Sequence, residues 1–406
     1  MSAEAPRGVR LIIALTGRRN VGKSSLINTI AGQEIAIVSA EPGTTTDPVA
    51  KPYELLPLGP VTFYDTAGLD DVGPLGELRI KAAKKVLRRA DLCVVVAGAE
   101  GIGEHEAAVV EEIRALGTPL LVANNMADLG PARAADVEYC RARGIRRLNV
   151  SARTGQGVDE LKRALIELAP EELKREPPLV SDLVGEGELV LLVVPIDLAA
   201  PKGRLILPQV QVLREILDCD ALGLIVKERE LEHALSGLAR KPSLVITDSQ
   251  VVLKVAGDVP GDVRLTTFST LFARHKGDLA AFVRGAAAID RLADGDAVLI
   301  AEACSHHPVA DDIGRVKIPR WLARYAGKDI RCEVASGHDF PEDLSRFALV
   351  VHCGSCMLNR TETLRRIRDC ARAGVPITNY GVAIAKVQGV LARIVAPFPG
   401  ISETPP

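Results

Sequence analysis

The chain has 406 residues, 47% hydrophobic and 25% charged, which is enough for two or three globular domains with sizeable cores. With 50 Lys and Arg against 52 Asp and Glu the net charge is −2, so no overall basic field points to nucleic acid or to an anionic membrane. We find no signal-peptide pattern and no apolar run of membrane-spanning length. Eight cysteines in so long a chain favour metal or redox chemistry over disulfides. We therefore expect a cytoplasmic protein whose partners include neither a nucleic acid nor a membrane.

The first motif follows an apolar strand near the N terminus. Residues 17–24 read G-R-R-N-V-G-K-S and fit G-x-x-x-x-G-K-[ST] between a predicted strand and a predicted amphipathic helix. In this motif backbone N–H groups hold phosphate oxygens, the lysine reaches the β- and γ-phosphates, and the hydroxyl holds magnesium. The nucleotide-binding residues predicted from this loop are Gly17, Asn20, Val21, Gly22, Lys23, Ser24 and Ser25.

Two elements of a nucleotide switch come next in the chain. A polar loop over residues 42–47 contains Thr45, which we expect to close over magnesium and the γ-phosphate together with Ser24. An apolar strand then ends at Asp65, and Gly68 follows two residues after Thr66. Asp65 is predicted to lie beside the magnesium ligands, and the Gly68 N–H to sense the γ-phosphate. The residues predicted to be catalytic are Lys23, Thr45, Asp65 and Gly68.

Two later motifs complete a set of five. Asn125 and Asp128 follow an apolar strand with N-x-x-D spacing, and Ser151 and Ala152 come after a further short helix. Over about residues 9–170 the five elements resemble the motifs of the small GTPases related to translation factors. The resemblance implies that Asp128 accepts the guanine N–H protons and that Asn125 braces the base. It also implies that the Ala152 N–H meets the guanine O6.

Two positions refine this resemblance. Met126 stands where the family has a lysine, so we expect guanine specificity to stand and nucleotide affinity to be lower. Asn20 matches the position that helps to hold potassium in the tRNA-modification GTPases. The resemblance therefore implies a slow GTPase that uses GTP, GDP, Mg²⁺ and K⁺.

A middle segment follows a charged linker with a Pro-Pro pair at residues 170–182. Over residues 181–265 three predicted strands alternate with helices, including one at 209–217, which predicts a small α/β domain. We find no catalytic constellation in it. An apolar domain without a site is a candidate dimerisation domain.

The third segment, residues 266–400, again alternates strands and helices, with helices predicted at 277–293 and 359–373. This pattern predicts a doubly wound α/β domain, in which ligands bind beyond the carboxyl ends of the strands. Two apolar strands lead directly to metal-binding residues, Cys304 and His306 in one case and His352, Cys353 and Cys356 in the other. If these strands are neighbours, the two groups converge.

The cysteine and histidine pattern C-x-H, 45 residues, H-C-x-x-C allows two kinds of metal site. Two cysteine–histidine pairs can close a four-coordinate zinc site. Three cysteines can instead hold a 4Fe-4S cluster whose fourth iron has an exchangeable ligand. Structural zinc usually staples small units without a core, and this domain has ample apolar strand, which favours the cluster.

The whole chain resembles one family, the HydF family of FeFe-hydrogenase maturation GTPases, in its GTPase motifs, its middle domain without a site and its Cys/His pattern. The resemblance implies a homodimeric scaffold that receives a diiron precursor, made with two radical-SAM maturases, and transfers it to apo FeFe-hydrogenase. It implies that Cys304, Cys353 and Cys356 bind the cluster. His306 or His352 remains open as a labile fourth ligand, and Glu302 is a further candidate.

Two other functions compete with this hypothesis. One is an RNA-associated GTPase of the tRNA-modification or ribosome-assembly type with a C-terminal zinc site, against which the near-neutral charge and the absence of a basic, aromatic-rich patch argue. The other is an electron-transfer enzyme, which would favour four cysteine ligands. The pattern offers three.

Overall fold

The computed structural model describes residues 10–32, 49–66, 74–170, 177–195, 205–302, 312–337, 339–341, 343–355 and 358–403. The chain divides into two compact units, Met1–Arg175 and Glu176–Pro406. Five predicted site residues lie outside the described residues, namely Thr45, Gly68, Cys304, His306 and Cys356. Within the described ranges, no helix has both the length and the apolar character that crossing a membrane requires.

The first unit is built on one six-stranded sheet of order β2-β3-β1-β4-β5-β6. All neighbouring strands are parallel except β2 and β3, which are antiparallel. Its strands are β1 (Leu11–Thr16), β2 (Val49–Leu55), β3 (Gly59–Asp65), β4 (Leu92–Ala97), β5 (Leu120–Asn124) and β6 (Arg146–Asn149). Its helices are α1 (Lys23–Ala31), α2 (Pro74–Arg89), α3 (Glu104–Leu116), α4 (Ala134–Ala142) and α5 (Val158–Leu168).

The apolar runs of the central strands form this sheet because helices cover both of its faces. Alternate residues of a strand point to opposite faces. Ile13 and Leu15 of β1 accordingly join a core cluster with α1 and α5, whereas Ala14 joins a second cluster with α2, α3 and α4. Since both faces are buried, all six residues of β4 are buried.

The second unit contains two four-stranded parallel sheets, of order β10-β9-β7-β8 and β12-β11-β13-β14. The strands of the first sheet are β7 (Leu189–Val193), β8 (Leu222–Val226), β9 (Leu244–Thr247) and β10 (Arg264–Thr267). Those of the second sheet are β11 (Ala297–Glu302), β12 (Arg331–Ser336), β13 (Leu349–His352) and β14 (Ile377–Asn379). In each sheet the first strand pairs with the second on one side and the third on the other, so both have the same topology.

The helices of the second unit connect these strands. They are α6 (Leu207–Asp218), α7 (Leu231–Gly237), α8 (Val252–Asp258), α9 (Phe268–Lys276), α10 (Leu279–Ala286), α11 (Ile318–Ala326), α12 (Arg360–Arg372), α13 (Tyr380–Val387) and α14 (Leu391–Val395). Short 3₁₀ turns lie at Ser249–Val251 and Ala287–Arg291, and one π-helical turn lies at Ile313–Lys317. One continuous hydrophobic core runs through both sheets, from Leu179 to Phe398.

The α/β fold class predicted from the sequence is confirmed, but two local predictions were wrong. The middle segment has a fourth strand, β10, which was missed because four residues with polar ends give no apolar run. The helix predicted over 277–293 is instead the shorter helix α10 followed by the 3₁₀ turn at Ala287–Arg291. Gly277 separates α10 from α9, since a Cβ there would lie 2.7 Å from the Phe282 ring, and Asp278 caps α10 by accepting a hydrogen bond from the Ala281 N–H (2.9 Å).

The two strands that lead to the predicted metal-binding residues are neighbours in the sheet. β11 lies directly beside β13 with Ala301 opposite His352, and the Cys353 N–H donates to the Ala301 carbonyl (2.9 Å). Because β11 is the first strand of its sheet and β12 lies on its other side, this pair marks the topological switch point. Open α/β sheets bind their ligands at such a point, beyond the carboxyl ends of the strands.

Candidate functional site

The phosphate loop connects β1 to α1 and requires glycine at two positions. Gly17 has φ 144°, and a Cβ there would lie 2.2 Å from the Val96 carbonyl oxygen. Gly22 has φ 86°, and a Cβ there would lie 2.3 Å from Nδ2 of Asn125. Side chains at either position would therefore push the loop away from the neighbouring motifs. The strand–loop–helix context that the motif requires is present.

Lys23 is buried at the start of α1, and its Nζ donates to the carbonyls of Gly17 (2.9 Å) and Arg18 (2.7 Å). The lysine thus lies across its own loop. Since carbonyl oxygens bind an ammonium more weakly than phosphates do, this geometry holds the charge where a nucleotide can recruit it.

Ser24 donates a hydrogen bond to Oδ2 of Asp65 at the end of β3. Burial raises the pKa of Asp65, while the Ser24 hydroxyl and the charge of Lys23 oppose that rise. A hydroxyl at the start of α1 and a carboxylate at the end of β3 are oxygen groups of the kind that magnesium prefers. The structure therefore brings together two of the residues predicted for the magnesium site.

Asn125 holds the end of the site that is predicted to bind guanine. Its Nδ2 donates to the Val21 carbonyl (2.8 Å), and its Oδ1 accepts from the Ala152 N–H (3.0 Å). One side chain therefore joins the phosphate loop to the loop that follows β6. Asn125 is buried, and its position explains why a Cβ on Gly22 would collide with it.

Asp128 lies next to Ser151, whose hydroxyl donates to Oδ1 at 2.6 Å. That hydrogen bond lowers the pKa of Asp128, and the Arg153 guanidinium, 3.8 Å away, adds to the effect. These contacts keep the Asp128 carboxylate ionised and fix its orientation. Met126 and Asn20 both have left-handed backbone conformations, with φ 65° and φ 60°. Asparagine tolerates this region better than methionine does, and the Asn20 side chain is exposed.

A residue that the motif does not single out anchors the phosphate loop. Arg18 donates through Nε to Glu106 (2.8 Å), through Nη1 to Glu100 (2.9 Å) and through Nη2 to the Gly101 carbonyl (3.0 Å). The Glu106 side chain is fully buried and also accepts from the Gly103 N–H (3.0 Å), so it belongs to the cap of α3. The loop is thus tied to the start of α3.

The second candidate site lies at the switch point between β11 and β13. Cys353 follows β13 directly, is 8% exposed and is not part of a disulfide. Ser355 has φ 58°, a left-handed conformation that turns the chain after the cysteine, and its carbonyl accepts a hydrogen bond from the Leu358 N–H (3.1 Å). The thiol therefore stands on a tight turn at the ligand edge of the sheet.

His352 is fully buried, and both of its ring nitrogens have partners. Nδ1 lies 2.8 Å from the Cys353 carbonyl, and Nε2 lies 3.1 Å from Nη1 of Arg366 on α12. Burial, followed by the charge of Arg366, lowers the pKa of His352 to about 3, so the imidazole is neutral near pH 7. Arg366 is itself paired with Glu362 (2.8 Å).

The end of β11 carries a second ion pair. The Glu302 carboxylate, 5% exposed, accepts from Arg315 Nη2 (2.9 Å) and Nε (3.1 Å), and Arg315 also donates to the Ser336 hydroxyl (3.0 Å). Arg315 belongs to the π-helical turn, and Asp312 caps that turn through the Arg315 N–H (2.8 Å). The Glu302 carboxylate is therefore paired with Arg315 at the carboxyl end of β11.

One of the predicted cluster ligands, Cys353, lies at the switch point in a position compatible with an iron–sulfur cluster. It follows β13 directly and precedes the left-handed Ser355, so it lies beyond the carboxyl end of the strand, where such sheets bind their ligands. Among the described residues, no group of three or more His, Cys, Asp or Glu side chains is arranged to hold a metal ion. The partners predicted for Cys353, namely Cys304, His306 and Cys356, are outside those residues.

The first unit has clear relatives. A family model described as a 50S ribosome-binding GTPase matches residues 12–126. The tRNA modification GTPase MnmE of Synechococcus sp. is 36% identical over 185 residues, which cover 45% of this chain and 36% of that protein. GTPase Era of Caldicellulosiruptor saccharolyticus is 32% identical over 199 residues, 44% of this chain and 65% of that protein. The chain thus spans about a third of the length of the tRNA modification GTPase.

Among solved structures, Aquifex aeolicus Era bound to GDP·AlF4⁻ matches with 22% identity and a TM-score of 0.36, over 53% of this chain and 92% of that chain. With the phosphate loop, the Asn125–Ala152 contact and the Ser151–Asp128 pair, the matched family model makes the first unit a P-loop GTPase domain.

The second unit identifies the family within the GTPases. The model of the Hydrogen maturase F dimerization domain matches residues 179–277, and that of the Hydrogen maturase F tetramerization domain matches residues 280–397. The chain therefore belongs to the HydF family of hydrogenase maturation GTPases. Both models are of domains for self-association, in agreement with a protein that works as an oligomer.

Proposed function

We propose that the chain is a GTP-hydrolysing scaffold and carrier that binds a 4Fe-4S cluster and a diiron precursor and delivers the precursor to apo FeFe-hydrogenase. The observation that carries the proposal is the pairing of β11 with β13, because the C-x-H stretch follows one of these strands and the H-C-x-x-C stretch begins at the end of the other. Family membership supports it independently.

In this proposal Cys304, Cys353 and Cys356 would hold the cluster. The iron that no cysteine ligates would supply an exchangeable position for an incoming precursor. The protein's own contribution is to fix the turn that carries Cys353, through the Ala301 carbonyl and the left-handed Ser355. Radical-SAM maturases would supply the precursor.

The nucleotide site would act as a switch. We expect Lys23 to leave the Gly17 and Arg18 carbonyls for the β- and γ-phosphates, and Ser24 to exchange Asp65 for magnesium. Thr45 and Gly68 would complete the site around the γ-phosphate. Asn20, exposed on the loop, would help to hold potassium, so that potassium stimulates a slow hydrolysis.

The exposed edge of the first sheet of the second unit suits a homodimer. β8 reads L-G-L-I-V, lies at the end of its sheet and exposes 51% of Leu222 and 39% of Ile225. An apolar edge strand without a charge is an unprotected pairing surface. It lies within residues 179–277, and a second copy of the chain would cover it.

The test of function is activation of apo FeFe-hydrogenase. The protein is co-expressed with the two radical-SAM maturases, purified without oxygen and mixed with apo-hydrogenase, and hydrogen evolution is measured. We expect activation by the wild type and none by Cys353→Ser, with Cys332→Ser, a half-buried cysteine away from the switch point, as the matched control. Equal activation by wild type and Cys353→Ser would contradict the proposal.

A further inference from the structure

Arg366, a residue outside every motif recognised in the sequence, stands at the centre of the polar network behind the ligand edge. We propose that Arg366 is a positioning residue which acts through His352 to fix the turn of Cys353, and that His352 is not an iron ligand. This inference rests on the proposed function, since it concerns how the chain holds the cluster.

The tautomer of His352 follows from its partners. Arg366 Nη1 lies 3.1 Å from Nε2, and a guanidinium can only donate, so Nε2 accepts and the ring proton lies on Nδ1. The Nδ1–H then donates to the Cys353 carbonyl at 2.8 Å. The Ser355 hydroxyl oxygen, 3.3 Å from the same nitrogen, can accept from the same N–H.

Arg366 is held in place by further contacts. Its Nη2 donates to Glu362 Oε1 (2.8 Å), one turn earlier on α12, and to the Gly337 carbonyl (2.8 Å) after β12. The guanidinium carbon lies 4.9 Å from the centre of the Phe340 ring. The side chains of Arg366 and Glu362 are 4% and 10% exposed, so this pair is shielded from water. Its position is therefore set independently of His352.

Neither ring nitrogen can bind iron without breaking this network. If Nε2 bound iron, Arg366 Nη1 would lose its acceptor in a buried site. If Nδ1 bound iron, the proton would move to Nε2 and face the N–H of Arg366, and the Cys353 carbonyl would lose its donor. In its present role the ring instead fixes the carbonyl side of Cys353, while the bond from Cys353 N–H to the Ala301 carbonyl fixes the amide side.

The ligand claim is tested on the full chain with ¹⁵N-labelled histidine, as wild type and as His352→Asn. Asparagine keeps an N–H donor for the Cys353 carbonyl and has no imidazole to bind iron. After anaerobic reconstitution with iron and sulfide and reduction, pulsed electron paramagnetic resonance records nitrogen couplings to the cluster. We expect His352→Asn to keep the couplings of the wild type. Loss of a wild-type histidine coupling in His352→Asn would overturn the claim.

The positioning claim is tested by the rate at which a chelator removes iron from the reconstituted proteins. We expect His352→Ala to lose iron about tenfold faster than wild type and His352→Asn to stay within about twofold. If His352→Ala fails to fold, Arg366→Gln replaces it, and we expect faster loss because glutamine cannot span His352, Glu362 and Gly337 together. A variant without the network that keeps iron as long as the wild type would overturn the claim.

One readout is independent of the cluster. Two-bond proton–nitrogen correlation in the iron-free protein gives the tautomer of His352, which we expect to be protonated on Nδ1. An Nε2–H tautomer would overturn the inference. A wild type that takes up no four-iron cluster would instead contradict the proposed function, while the tautomer would still decide whether Arg366 holds His352 as inferred.

Discussion

Single residues of the nucleotide site could be predicted from the sequence because short motifs encode them. The contacts that these residues make within the fold could not be predicted in this way. Spacing identified Lys23, Ser24, Asn125 and Asp128, and the structure of the first unit holds each of them at the predicted loop. The pairing of Arg18 with the buried Glu106 depends on two segments 88 residues apart, and no local pattern reports such a contact.

Lys23→Ala is the sharpest test at the residue scale. Without the ammonium, the β- and γ-phosphates lose their main charge partner, so we expect GTP hydrolysis to fall by at least about a hundredfold. Iron uptake should stay unchanged, since Lys23 belongs to the first unit and the cysteines to the second. Phosphate release and iron per chain are measured on the same preparation. Loss of both together would argue against separate sites.

At the scale of elements, the contact between the phosphate loop and α3 can be tested at two acidic residues, because Arg18 of the loop pairs with both Glu106 and Glu100. Glu106→Gln removes a fully buried partner of Arg18, whereas Glu100→Gln removes one that is 83% exposed. Exposed ion pairs contribute little, so we expect GTP affinity to fall about tenfold in Glu106→Gln and less than about twofold in Glu100→Gln. Nucleotide titration by calorimetry measures both. Equal losses of affinity in the two variants would mean that the Arg18–Glu106 pair does not fix the conformation of the phosphate loop.

The edge strand β8 carries the element-scale prediction for assembly. A lysine at Leu222 adds a charge that opposes edge-to-edge pairing, so Leu222→Lys should shift the oligomer toward the monomer. Leu253→Lys on α8 is the control, because Leu253 is 56% exposed and lies outside the edge. Light scattering after size-exclusion chromatography gives the mass. If both variants behave alike, β8 is not the interface.

At the scale of the whole molecule, the rhythm of strands and helices predicted the α/β class, and it could not reveal that the second unit shares one core. Linkers and composition shifts favour separate domains, whereas a core from Leu179 to Phe398 forms only through tertiary packing. The boundary predicted at residues 265 and 266 falls inside β10. Within the second unit, Arg360 at the start of α12 joins that helix to the end of α9.

Arg360 donates through Nη1 to the carbonyls of Arg274 (3.1 Å), His275 (2.7 Å) and Gly277 (3.0 Å), and so caps the end of α9. Arg360→Ala leaves these carbonyls without that donor, and we expect the free energy of unfolding of the second unit to fall by about 1–3 kcal/mol. Calorimetry of the full chain measures the thermal midpoint. An unchanged midpoint would show that this cap adds nothing to the stability of the second unit.

The central claim is that the chain binds a 4Fe-4S cluster at the switch point of its last sheet. The most direct measurement is anaerobic reconstitution, followed by iron analysis and electron paramagnetic resonance of the reduced protein, on wild type, Cys353→Ser and Cys332→Ser. Burial raises the pKa of Cys332 to about 11, so that thiol stays protonated near pH 7 and serves as the control. The account predicts a four-iron signal in the wild type and in Cys332→Ser, and its loss in Cys353→Ser. A colourless wild type with one zinc per chain, or a Cys353→Ser protein with the wild-type signal, would contradict it.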